Sequence, residues 1–141
     1  RKLRKRIPPA GSMIRNPIDA AIAFVHLPLM GEVIDVVAKS GEMDNFIVSV
    51  PLDWLYNQAP DGTYIETLAR YLATEAGKCA GGKPMLVAWR QYEASPKIRR
   101  WIPVFKDILM KAGIPVYEGL PKAVRALSNL SEYYEFQGLI K

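Results

Sequence analysis

The sequence predicts an α/β protein, a three-layer sandwich of helices around a parallel sheet. Short apolar runs alternate with stretches of helical apolar spacing, and glycine or proline marks nearly every junction between them. At 141 residues, half of them apolar, the chain suffices for one domain with a buried core.

The first expected strand is IDAAIAF, residues 18–24. It leads through Pro28 into a helix whose apolar residues Met30, Val33, Ile34 and Val37 recur at three and four positions, with Gly41 closing it. The second strand is NFIVSVPL, 45–52, rich in β-branched residues. A loop, DWLYNQAPDGT, then delivers the chain to a helix carrying Ile65, Leu68, Ala69, Leu72, Ala76 and Cys79 on one side, with Asp61 or Thr63 as its cap.

AGGKP breaks the chain before a third strand, PMLVAW, 84–89. The following helix uses Ile98, Trp101, Ile102, Phe105, Leu109 and Ala112, and Pro103 is expected to kink it or confine its regular part to residues beyond Trp101. The fourth strand is IPVYE, 114–118, entered through Gly113. The last helix starts near Pro121, with Val124, Leu127, Leu130 and Tyr134 expected on its inward side. Four such units make a sheet of the flavodoxin type.

The net charge of +5 is carried by Arg1, Lys2, Arg4, Lys5 and Arg6, so the rest of the chain is balanced. Followed by Ile7, Pro8, Pro9, Ala10, Gly11 and Ser12, this run reads as a basic linker over 1–12 preceding a folded domain over 13–141. Neither nucleic acid nor a membrane is expected as a partner. There is no run of about 18 apolar residues and no apolar leader, which makes the cytoplasm the expected location. The chain begins without methionine and is read as a piece of a longer multidomain protein.

Chemistry-bearing residues are few. The single cysteine, Cys79, is read as a small buried hydrophobe and the single histidine, His26, as a loop residue without a catalytic neighbour. No metal site is expected from one His, one Cys and scattered acids. In an open parallel sheet ligands lie beyond the carboxyl ends of the strands. There the turn at Gly62 and Thr63, ahead of a helix, offers backbone amides to a phosphate, although Asp61 competes as an ordinary cap. Trp54, Tyr56, Trp89 and Tyr92 crowd the same rim and suit a domain interface.

The order of these elements, with RNPIDA, KPMLVAW, AGIPVYEGLPKAVRAL and the ending LSEYYEF, resembles the CoA-ligase domain of the NDP-forming acyl-CoA synthetases, relatives of succinyl-CoA synthetase. The resemblance covers roughly residues 8–136. Its most specific pieces are Asn16, Pro17 and Asp19, spaced Asn-Pro-x-Asp, and Gly113 to Tyr117 followed by Pro121, Ala123 and Val124. It implies a ligase that makes an acyl-CoA from an acid, CoA and ATP or GTP with Mg, through an acyl phosphate and a phosphohistidine held in another domain.

The resemblance further implies CoA-binding, phosphohistidine and ATP-grasp domains or subunits as partners, and an oligomer. This domain would bind no cofactor alone and would help build the phosphate site, with Asn16, Asp19, Gly62 and Thr63 as the residues nearest the ligand. In place of the family's glycine turns the sequence has SVPLDWLYNQAPDG and WRQYEASPK. The alternative expectation is therefore a non-catalytic scaffold or regulatory module of the same build.

Overall fold

The computed structural model describes residues 3–8, 10–79, 83–90 and 96–139. Among them three strands form one parallel sheet: β1 (Phe46–Pro51), β2 (Met85–Arg90) and β3 (Val116–Glu118), side by side in chain order. Phe46 lies opposite Met85 and Pro51 opposite Arg90, while Val87 to Trp89 face Val116 to Glu118. Hydrogen bonds from Phe46 to the Pro84 carbonyl and from Gly119 to the Trp89 carbonyl continue the ladders beyond the strand ends.

Helices connect and cover the strands: α1 (Leu27–Ala38), α2 (Leu52–Gln58), α3 (Thr63–Tyr71), α4 (Gly77–Cys79), α5 (Pro96–Arg99), α6 (Trp101–Lys111) and α7 (Leu120–Phe136). A π-helical stretch, Leu72–Ala76, joins α3 to α4. Met85 to Ala88 are all buried, as a central strand covered on both faces requires. Phe46, Val48, Val50, Met85 and Val87 meet Ile34, Ile65, Leu68, Phe105 and Leu109 in one apolar core. On the opposite face Leu86 and Tyr117 line a cavity of about 220 Å³ with Ala126, Leu127 and Leu130 of α7. The mixed α/β class and the parallel sheet are therefore as the sequence predicts.

Four expectations are corrected. Residues 18–24 form no strand: Met13 and Asp19 pair in an isolated antiparallel bridge, and Ala21–Phe24 is a 3-10 turn. The run is alanine-rich, with three alanines in seven residues and only Ile18 and Ile22 offering the β-branched bulk that packs on a pleated surface. The expected loop after β1 begins as a helix, α2, because Leu52, Leu55 and Tyr56 recur at helical spacing and all three are buried. Val124 and Tyr134 are exposed and do not belong to the inner side of α7, which is made by buried Ala123 with Leu127 and a partly exposed Leu130 lining the cavity against the sheet. Seventeen residues of helix run about 25 Å, longer than the strands beneath at about 10 to 20 Å, and Leu130 is the last residue of α7 to line the cavity against the sheet.

The fourth correction concerns the N-terminus. Ile7 is 1% exposed and belongs to the core, with Leu3 packed against it. Arg6 pairs with Glu32 of α1 at 2.8 Å, and Arg4 holds the Pro8 carbonyl and the Ser12 hydroxyl. The described part of the expected linker is thus docked on the domain.

Pro103 falls in the first turn of α6, where its missing N–H would have no partner in any case, and the helix is regular from Trp101. At the other end of α6, Gly113 takes φ +78°. Its N–H reaches the Met110 carbonyl and that of Ile114 reaches Leu109, the two bonds of a Schellman stop. The side chains of Ala76 and Cys79, and Tyr92 with the rest of 91–95, lie outside the described residues.

Candidate functional site

The carboxyl ends of the strands open toward α2, the first turn of α3, the α5–α6 junction and the Glu118–Gly119 turn. At α3 the N-cap is Gly62, in the left-handed conformation and without a side-chain cap bond, rather than the expected Asp61 or Thr63; Asp61 instead folds back on Thr63. The Asp61 carboxylate accepts from the Thr63 N–H at 3.0 Å and from the Thr63 hydroxyl at 2.8 Å. Those two bonds, the hydroxyl first, hold the Asp61 carboxyl below its ordinary value. Gly62 donates its N–H to the Ala59 carbonyl and accepts from the Ile65 N–H.

Gly62 has φ +79°, and a Cβ placed on it would lie 2.0 Å from Cε2 and Nε1 of Trp101. The indole edge of α6 therefore seats directly on the glycine, and no larger residue fits. The indole Nε1 is buried there without a hydrogen-bond partner among the described residues. Neighbouring Tyr64 donates its hydroxyl to the Phe24 carbonyl at 2.5 Å, and burial raises its pKa. His26 is the cap of α1, its Nδ1 accepting from the Leu29 N–H at 3.2 Å. Asp53 in the first turn of α2 is 8% exposed and accepts from the Trp54 N–H at 3.1 Å.

The four expected ligand-edge residues do not form one site. Gly62 and Thr63 sit at the carboxyl edge beside α6. Asn16 donates to the sulfur of Met43, just ahead of β1, and so lies by the amino ends of the strands. Asp19 is exposed, and its backbone is engaged with Met13. The turn at Gly62 fits a phosphate poorly: the amides of Gly62, Thr63 and Ile65 are already bonded, Asp61 contributes a negative charge, and Trp101 covers the glycine.

Of the rim aromatics, Trp54 is 37% exposed whereas Tyr56 is buried and Trp89 packs partly against the core. The contact of Trp101 with Gly62 and the capping role of His26 were not anticipated. An Asp-Gly pair before a helix signals the left-handed turn. Nothing local in the sequence names the aromatic ring that covers it.

At the Glu118–Gly119 turn, Lys122 bonds Glu118 at 2.7 Å and, with Lys106, lowers the Glu118 pKa. Among the described residues no three of His, Cys, Asp and Glu come together as metal ligands, and no helix is long and apolar enough to cross a membrane. No family model, curated protein or solved structure matches the chain. Fold and site together define a mixed α/β protein with helices on both faces of a small parallel sheet.

Proposed function

We propose that the chain is the CoA-ligase-like module of an NDP-forming acyl-CoA synthetase, of the flavodoxin-like build, in a protein that converts an acid, CoA and ATP or GTP with Mg to acyl-CoA. The observation that supports this reading best is the last βα unit. Gly113 ends α6, Ile114 is buried, Val116 to Glu118 pair in parallel with β2, and Gly119 turns the chain into α7, with Pro121 in its first turn. One of the two most specific pieces of the resemblance, Gly113 to Tyr117 with Pro121, Ala123 and Val124, builds this strand, turn and helix. The module supplies no nucleophile or base of its own in this reading and works through a partner domain that carries the phosphohistidine.

A second reading, a synthetase-like scaffold without catalytic duty, is favoured by one feature. The α3 turn is filled by its own carboxylate and by Trp101, which leaves little for a phosphate to bind. The two separate in the full-length protein given ATP, Mg, CoA and a panel of carboxylic acids. Release of ADP and phosphate that needs both CoA and one of the acids supports the ligase. Full stability with no such release under any acid overturns it in favour of the scaffold.

A further inference from the structure

Residues 96–106 carry Lys97, Arg99, Arg100 and Lys106 and no acid. Five other cations are balanced within a helical turn: Lys39 by Asp35, Arg70 by Glu66, Lys78 by Glu75, Lys111 by Asp107 and Lys122 by Glu118, whereas Arg15 and Arg125 stand singly rather than in a group. Asp107, directly after the segment, is bonded by Lys111, and Glu118 is bonded by Lys122 with Lys106 adding to the field there; Glu93, ahead of the segment, lies outside the described residues. Lys97, Arg99 and Arg100 are exposed and form no ion pair with a described residue. They also gather at the start of α6, Arg100 being its N-cap, where the helix dipole disfavours a positive charge. Arg100 is held 5.5 Å above the ring of Trp101, beside Gly62. An acid-free group of cations at the wrong end of a helix costs stability, and a bound anion removes that cost.

We propose that this segment is a binding site for a ligand bearing two adjacent phosphates. Three considerations fix the ligand chemistry. The segment lies past the end of β2, on the edge where open parallel sheets bind ligands. Lys97 and Arg100 are one turn apart, about 5 to 6 Å between Cβ atoms, the width of a diphosphate rather than of an extended acidic peptide. Arginine forks bond phosphate oxygens in pairs. The site adjoins the α3 turn across Trp101 but does not use that turn's amides, and it does not depend on the acyl-CoA synthetase reading.

Calorimetric titration of the chain with pyrophosphate, ATP, CoA and inorganic phosphate tests it, with hexaglutamate as the acidic-peptide arm. Arg99→Gln with Arg100→Gln should weaken pyrophosphate about tenfold or more, because charge-assisted bonds are lost. Arg15→Gln with Arg125→Gln, an equal change of charge at two other exposed arginines, should leave it unchanged. Tighter binding of ATP or CoA than of pyrophosphate assigns the phosphates to a nucleotide, and equal binding assigns them to pyrophosphate itself. The proposal is overturned by absence of binding, by equal weakening in both double variants, or by hexaglutamate binding as tightly as pyrophosphate.

Discussion

Gly62 is held by two constraints that separate cleanly by substitution. Its φ of +79° penalises any side chain, and the indole of Trp101 occupies the space a Cβ would take. Gly41 shares the first constraint, at φ +74°, with nothing within 4 Å. Gly41→Ala should therefore cost about 1 kcal/mol, and Gly62→Ala about 3 kcal/mol, in urea unfolding. Equal losses would show that the indole does not press on the glycine. Asp61 acts at the same turn through charge. Its folded pKa is depressed below the ordinary 3.8, so its contribution is complete above that value and is lost as pH falls through the lower folded value. The difference in urea midpoint between the parent chain and Asp61→Asn should accordingly be constant near neutrality and shrink only below about pH 4. A difference that instead grew on acidification would contradict a stabilising role for the two bonds from Thr63.

At the scale of elements, α6 and α7 are the informative contrast. Both show apolar residues at helical spacing, yet Phe105 and Leu109 are fully buried while Val124 and Leu130 are half exposed. Leu109→Ala should cost about 3 kcal/mol or more, and Val124→Ala under about 1 kcal/mol, by the same urea measurement. A large loss at Val124 would mean that α7 is covered along its length in solution.

The same contrast explains what was legible in the sequence. Periodicity locates helices and their apolar side, as for Met30 and Ile34 in α1 or Ile65 and Leu68 in α3, and Gly113 and Pro121 mark real ends. It does not report how far the sheet extends beneath a helix, nor that an open cavity separates the two, which leaves Tyr134 exposed and Leu130 only partly covered. Residues 18–24 differ for another reason: a short alanine-rich apolar run fits a 3-10 turn as well as a strand, and the pairing of Asp19 with Met13 is tertiary information. Of the candidate site, the Asp-Gly turn could be read locally. Its cover by Trp101 and the placement of Asn16 at the far end of the sheet could not.

For the whole molecule, the N-terminal segment and the sheet act as one body. Ile7 reaches the core although the residues around it are basic or proline, a composition that in sequence resembles a linker. Ile7→Ala should lower stability by about 2 to 4 kcal/mol, as in other large-to-small core changes, measured by urea unfolding of the entire chain. An unchanged midpoint would return the segment to linker status. The glycine-poor carboxyl edge makes the function harder to read than the fold, since the helices and strands do not need the glycines that a close phosphate would.

The reverse reaction of the full-length protein probes the central proposal most directly. Given an acyl-CoA, ADP and inorganic phosphate with Mg, an NDP-forming synthetase cleaves the thioester with phosphate and passes the phosphoryl group to ADP. The account predicts ATP formation that requires all three substrates and releases free CoA in equal amount. Free CoA without ATP, or no cleavage of any acyl-CoA, would contradict it.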